Sequence, residues 1–311
     1  MSLNLIHGWR DLSEAERGAA AALGNFDGVH LGHAQVIAMA REAAQRLGAP
    51  LAVITFDPHP RRVFRPANRP FRLTTLSQQV RALEALGVER LHMLPFDFAM
   101  ASMTDRQFAD EVLHQGLGIR HIAVGFDISF GAGRTGTPEA MKAYGAEFGF
   151  GVSVAPALTS ASGEKISSSQ VRAALRDGRP RDAAAMLGRP FAIEGVVRRG
   201  RQLGRQLGFP TANVELDDYV APRLGIYATR TRMRDGRVIP GVANIGTNPT
   251  VGEVQARLEV HLFDFDEDIY GEVIETSLIA YLRPEVKFDG LPALVEQMGK
   301  DCLEARAILG L

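Results

Sequence analysis

Over residues 19–158 short apolar runs alternate with segments of helix length, whereas after Leu187-Gly188-Arg189-Pro190 strand-like runs follow one another with only turns between them. The first rhythm, with runs at 19–23, 51–56, 90–96, 121–126 and 151–158, predicts a doubly wound parallel α/β sheet that binds ligands at the carboxyl ends of its strands. The second, at 191–197, 224–233, 257–265 and 273–282, predicts an antiparallel β-barrel or sandwich, with one amphipathic helix over 291–309 closing the chain. A chain of 311 residues suits two ordinary domains, here 1–187 and 188–311. Three helix starts are signalled locally: Thr104 with Gln107, Thr137 before Pro138, and Ser167 with Gln170.

The loop after the first run, Gly24-Asn25-Phe26-Asp27-Gly28-Val29-His30-Leu31-Gly32-His33, leads into a helical pattern over 34–47. Free backbone N–H groups and the positive end of the helix dipole therefore face a ligand there. Gly28 and Gly32 allow close backbone approach, and His30 and His33 can donate to charge that builds on phosphate oxygens. H-x-G-H in this place points to nucleotidyl transfer. A zinc half-site and a pair of structural histidines are the competing readings; the chain offers a single cysteine, Cys302, as a soft ligand.

Thr55-Phe56-Asp57-Pro58-His59-Pro60 ends the second run, and His59 is a candidate substrate wall. Gly131, Gly133 and Gly136 spell G-x-G-x-x-G, yet they follow the fourth run without the acidic residue that a ribose contact requires, so the stretch reads as a ligand-side loop carrying Arg134. Lys165-Ile166-Ser167-Ser168-Ser169-Gln170-Val171-Arg172 is a hydroxyl-rich helix start, in which Ser167, Ser168 and Arg172 are candidate phosphate contacts. In the second half, Gly204, Arg205, Gly208 and Pro210 form a phosphate-tracking loop, and Thr211 and Asn213 offer oxygen ligands to Mg²⁺ on nucleotide phosphates. Glu259 shares a strand face with His261 and is a candidate general base; a solvated strand glutamate is the alternative. No Walker A motif occurs.

Composition narrows the partners. With 46% hydrophobic and 23% charged residues and a net charge of -1, the chain reads as globular, with no general affinity for nucleic acid or membrane. Its lysines are Lys142, Lys165, Lys287 and Lys300 alone, so most positive charge is arginine. One cysteine and a polar segment over 1–16 point to a cytoplasmic protein without a disulfide framework. Oligomeric state is not legible.

The stretches GNFDGVHLGH, TFDPHP, VGFDISFG, KISSSQVR, GRQLGRQLGFPTANV, GIYATR, VANIGTNPTVG, LEVHLFDFDEDIYGE and LRPEVKF occur in this order over almost the whole chain. In them the chain resembles the bifunctional bacterial riboflavin kinase/FMN adenylyltransferase, or prokaryotic FAD synthetase. The resemblance implies an N-terminal Rossmann-like domain that transfers AMP from ATP to FMN, releasing pyrophosphate, and a C-terminal barrel that phosphorylates riboflavin with MgATP. It implies that His30 and His33 stabilise adenylyl transfer, with Gly24, Asn25, Phe26, Asp27 and Gly28 shaping the loop. Ser167, Ser168 and Arg172 would contact the triphosphate, and Gly204, Arg205, Gly208, Pro210, Thr211 and Asn213 the kinase ATP. Glu259 would be the base on the ribityl hydroxyl, while His59, Asp127 and Arg283 would lie near flavin. The implied ligands are ATP, Mg²⁺, riboflavin, FMN and FAD. Ile128 and Ser129 stand where the family usually has an aromatic and an arginine, Thr137 where it has an acidic residue and Ser169 where it has a threonine. AMP transfer with altered flavin affinity is the expectation from Ile128 and Ser129.

Overall fold

The computed structural model describes residues 3–65, 70–160, 163–200, 204, 207–249 and 254–311. Contacts divide the chain into two compact units, residues 1–68 with 76–166, and residues 69–75 with 167–311.

In the first unit, strands β1 (Asn4–His7), β2 (Ala20–Leu23), β3 (Leu51–Asp57), β4 (Arg90–Pro95), β5 (His121–Gly125) and β6 (Gly151–Ala155) form one parallel sheet in the order β1-β4-β3-β2-β5-β6. Both faces are covered, which is why the strands read as unbroken apolar runs. Ala20, Ala22 and Val53 pack on helix α1 (Leu31–Leu47) through Val36, Ile37, Ala40 and Ala44. Ala21, Ile54, Leu94 and Val124 face the opposite core with Trp9, Val112 and Met141, the last on α3 (Pro138–Phe148). Helix α2 (Leu76–Ala85) adds Leu83 to the α1 side. The chain turns outward in both directions from β2, so the sheet's topological switch point lies at the carboxyl ends of β2 and β5, where a crevice opens.

The local start signals are realised. Thr104 and Gln107 form the reciprocal box, with the Gln107 N–H donating to Thr104 Oγ1 at 3.1 Å and the Thr104 N–H to Gln107 Oε1 at 3.0 Å. Thr137 Oγ1 accepts from the Ala140 N–H at 3.2 Å. Edge strand β1 falls in the segment read as a polar start, because only Ile6 of its four residues is buried.

In the second unit, β7 (Ala192–Val196), β8 (Ala212–Glu215), β9 (Gly225–Arg232), β10 (Val238–Pro249), β11 (Val254–Leu262) and β12 (Val273–Arg283) form an antiparallel sheet in the order β7-β12-β9-β10-β11-β8. A bridge between Arg198 and Asn213 draws the two ends of that order together into a near-barrel. Tyr227, Ile245, Leu258 and Val260 are buried on one face. Ala228, Val242 and Ala280 face the terminal helix, packing with its Ala305 and Leu309. We label the helices of this unit α4 (Ser168–Arg176), α5 (Pro180–Leu187) and α6 (Leu291–Leu309).

Two strands, β8 and β10, were not expected from sequence. Gly241, Gly246 and Pro249 interrupt the apolar pattern of β10, and its place is set instead by full ladders to β9 and β11. Segment 69–75 and helices α4 and α5 pack with the barrel, whereas sequence alone places the division after residue 187. The Phe71 and Arg72 N–H groups donate to the Asp218 carbonyl at 3.0 and 2.8 Å, the Val220 N–H to the Arg72 carbonyl at 2.8 Å, and the Arg223 N–H to the Leu175 carbonyl at 2.9 Å.

Candidate functional site

The loop from Gly24 to His33 leaves β2 at the switch point. Helix α1 begins at Leu31, so His30 is its cap, and the His33 N–H donates to His30 Nδ1 at 3.2 Å. That bond leaves Nε2 as the nitrogen that carries the proton of the neutral ring. The His30 and His33 rings stack with centroids 3.6 Å apart and planes 14° from parallel. Gly32 eases this arrangement, because a Cβ there would press on the His30 ring at 3.2 Å. Phe26 and Val29 hold φ values of 49° and 42°, positions that cost a bulky or β-branched residue energy. Burial secures them, since Phe26 is 1% and Val29 3% exposed. The Asn25 carbonyl accepts from Thr55 Oγ1 at 3.1 Å and from Gln79 Nε2 at 3.3 Å, tying the loop to β3 and α2. Asp27 and His30 are both buried.

Gly24 and Asn25 also line a cavity of about 860 Å³ with His59, Asp127, Ile128 and Ser129. Its aromatic wall comes from Phe56 and Phe64, each edge-on to Phe96 with centroids 5.5 and 5.6 Å away. Sequence reasoning gave these rings no role; the Thr55–Pro60 stretch was the only signal. His59 Nδ1 accepts from the Arg61 N–H at 3.1 Å, and Asp127 is ion-paired with Lys165, which also lies over the Phe126 ring. The G-x-G-x-x-G spacing has a packing cause: a Cβ on Gly131 would strike the Asp105 backbone at 2.3 Å, and one on Gly136 the Phe130 ring at 2.7 Å.

On α4, Ser167 Oγ caps the helix by accepting from the Gln170 N–H at 3.3 Å, and Ser168 opens the first turn. Arg172 is buried, with Nε donating to the Phe71 carbonyl at 2.7 Å.

In the second unit, Thr211 is a wall shared by two cavities. One, of about 230 Å³, is lined by Gly200, Pro210, Thr211, Asn213 and the 265–270 loop. The other, of about 290 Å³, is lined by Gly204, Thr211, Asn244, Glu259, His261 and Arg283. The stretch read as a phosphate loop ends in β8, which pairs with β11 so that Asn213 stands opposite Glu259. Residues paired in this way project from the same sheet face. Leu258 and Val260 are fully buried on the other face, and Glu259 and His261 are half-buried. His261 Nδ1 lies 2.9 Å from the Pro210 carbonyl, to which it donates. Asn213 is buried, and its Nδ2 donates to the Thr211 carbonyl at 3.3 Å. Gly200 makes room for that amide, since a Cβ would come within 2.6 Å of it. Gly204 likewise admits the Phe209 carbonyl, and Gly208 adopts φ 87°. Arg205 lies outside the described residues. Arg283 is held by Asp301, and Cys302 lies in the same wall, where burial pushes its thiol up to about 11.

The donors at Thr211 and Asn213 are neutral oxygens, which suit a hard cation that keeps most of its ligands from phosphate and water. Among the described residues no group of three or more His, Cys, Asp and Glu could hold a metal ion.

Residues 12–170 match the family model for FAD synthetase, and residues 187–309 that for riboflavin kinase. The chain is 41% identical over 307 residues to a bifunctional riboflavin kinase/FMN adenylyltransferase of Pseudomonas fluorescens, covering 98% of each chain. It is 39% identical over 310 residues to one from Escherichia coli (strain K12), covering 99% of each. A solved structure described as a macrolide-efflux protein from Streptococcus pneumoniae superposes with a TM-score of 0.86 at 32% identity, covering 97% of both chains. Among the described residues no helix is long and apolar enough to cross a membrane.

Proposed function

The chain belongs to the bifunctional riboflavin kinase/FMN adenylyltransferase family, and from that premise we propose which residues carry each of its two reactions. The C-terminal domain phosphorylates riboflavin with ATP, and the N-terminal domain transfers AMP from ATP to FMN, giving FAD. We divide the activities at residues 1–187 and 188–311.

The kinase assignment is carried by Thr211, the wall common to both cavities of the barrel. ATP occupies the side of Gly200, Pro210 and Asn213, riboflavin the side of Glu259, and the γ-phosphoryl group crosses at Thr211. Gly204, Arg205 and Gly208 bring backbone and charge to the phosphates. Glu259 accepts the proton of the ribityl 5′-hydroxyl as its oxygen bonds to the γ-phosphorus and the bond to the β-phosphate oxygen breaks, releasing ADP. Thr211 Oγ1 and Asn213 Oδ1 would hold Mg²⁺ on the ATP phosphates, where the ion supplies charge neutralisation. Arg283 shapes the flavin wall through its hold on Asp301.

In the adenylyltransferase the nucleophile is the ionised phosphate of FMN, which needs no base. Its oxygen bonds to the α-phosphorus of ATP, and pyrophosphate leaves. His30 Nε2–H and His33 donate to the charge that accumulates on the phosphate oxygens. Gly24, Asn25, Phe26, Asp27 and Gly28 form the cradle. FMN lies in the aromatic-walled cavity beside His59, Asp127, Ile128 and Ser129. Incubation of the full chain with riboflavin and MgATP, resolving flavins over time, tests the reading: FMN rises first and FAD follows. FAD formed from FMN with no FMN formed from riboflavin would remove the kinase assignment.

A further inference from the structure

The loop that leaves β5 supplies residues 128–134 to the wall of the cavity of about 860 Å³. In the sheet order β2 and β3 stand between β5 and β4, so a loop that runs from the end of β5 to the segment after β4 crosses the ends of both. This one does. The Ala132 N–H donates to the Met103 carbonyl at 2.7 Å, and Met103 lines the same cavity. Phe130 and Gly136 exchange N–H bonds to each other's carbonyls at 3.2 and 3.0 Å, which closes residues 130–136 into a hairpin. Its tip rests on Asp105, whose backbone leaves no room for a Cβ on Gly131.

The Asp105 carboxylate fastens that tip. Oδ1 accepts from Thr135 Oγ1 at 3.0 Å, and Oδ2 from the Tyr144 hydroxyl at 2.9 Å. Tyr144 lies on α3, the helix that follows the loop, so one side chain ties down both the tip and the helix after it. Bonds to an ionised acceptor are the stronger kind. Asp105 is in turn held from both sides, by the Thr104–Gln107 box before it and by the two bonds of Arg106 to Glu147 at 2.7 and 2.6 Å. Arg134, next to Thr135, holds φ 59°, a conformation that persists in a residue with a Cβ only where its surroundings fix it. Asp105 does not itself line the cavity; it acts through the loop.

We propose that Asp105 is a positioning residue of the adenylyltransferase: by holding Thr135 it sets the wall of residues 128–134 against the flavin, and with it the affinity for FMN. This rests on the reading that FMN lies in this cavity. The ATP side is fastened separately, since the loop from Gly24 to His33 is tied to β3 and α2 through the Asn25 carbonyl. Loss of the Asp105 bonds therefore acts on FMN and spares ATP.

The test uses full-length variants, each assayed for KM of FMN, KM of ATP and kcat in FMN-to-FAD conversion, with thermal unfolding of the same samples. Asp105→Ala raises KM for FMN about tenfold, while KM for ATP and kcat stay within about twofold. Asp105→Asn restores most of the loss, because its amide oxygen accepts from Thr135 and its amide nitrogen donates to the Tyr144 oxygen. Thr135→Val removes one bond at an exposed position and raises KM for FMN about threefold; Thr135→Ser reverses this. Where Asp105→Ala fails to fold, the Thr135 pair decides alone. An unchanged KM for FMN in the folded variants, or a rise that KM for ATP matches, overturns the proposal. Ser129→Trp, which puts a large ring into the cavity, tests the reading beneath it. A shifted KM for FMN in Ser129→Trp beside unchanged Asp105 and Thr135 variants sinks the positioning role alone, whereas an unchanged KM in Ser129→Trp removes FMN from this cavity and the proposal with it.

Discussion

Asp301 holds Arg283 by two parallel bonds, Nε to Oδ1 at 2.8 Å and Nη2 to Oδ2 at 2.6 Å. The third nitrogen, Nη1, donates to the Pro284 carbonyl at 2.9 Å. The guanidinium is thus spent on fastening the end of β12 to α6. Asp301 is 4% exposed, and breaking a buried pair leaves the surviving charge uncompensated. Asp301→Ala is expected to lower the stability of the protein by about 3 kcal/mol and to raise KM for riboflavin, as read by denaturant unfolding and kinase assay. An unchanged unfolding midpoint would count against this fastening role.

His30 caps α1, and the donor role proposed for its ring can be separated from that cap. Asn at position 30 still caps a helix but lacks Nε2. His30→Asn should leave stability within about 1 kcal/mol of wild type and cut FMN-to-FAD conversion by about 10²–10³-fold, with riboflavin phosphorylation intact. A variant that keeps full adenylyl transfer shows that the ring serves only the helix.

Gly32→Ala gives a complementary split. Alanine in a helix is ordinarily worth about 0.5–1 kcal/mol over glycine, yet here the added carbon meets the His30 ring at 3.2 Å. The expected result is stability equal to or above wild type together with slower adenylyl transfer. Thermal unfolding and an FMN-to-FAD assay on the same sample check it.

His92 is expected to contribute to the acid limb of stability. It is fully buried on β4, and neither ring nitrogen has a hydrogen-bond partner among the described residues. Burial first, and then the charge of Arg90, lower its pKa from 6.5 to about 4 against the smaller pull of Glu16. Above pH 6.5 the ring is neutral in folded and unfolded chains alike. As pH falls from 6.5 towards about 4, only the unfolded chain takes the proton, so stability is lost across that window by about 3 kcal/mol in total. His92→Leu removes the titration and should flatten stability over the same range; an equally steep fall in the variant would assign the acid limb to other groups.

Most of the architecture was legible because its cause is local. Alternating apolar runs and capped helix starts place the parallel sheet, and the loop from Gly24 to His33 falls at its switch point. The parts that were not legible depend on pairing partners distant in sequence. β8 reads as loop until β11 lies beside it, and β10 carries glycines whose use appears only when Glu285 packs over Gly246. Segment 69–75 gives no sign in its own residues that its backbone will bond to Asp218 and Val220. For the same reason Glu259 could be singled out as a strand carboxylate with an open role, while Asp105, whose partners Thr135 and Tyr144 lie 30 and 39 residues further on, could not.

Purified wild type, Glu259→Ala and His33→Ala, each supplied with MgATP and either riboflavin or FMN, test the two-site account most directly. The account predicts that Glu259→Ala forms little FMN from riboflavin, down by about 10²–10⁴-fold, yet converts FMN to FAD near the wild-type rate, while His33→Ala accumulates FMN and makes little FAD. Loss of both activities in either folded variant, or of neither, would contradict it.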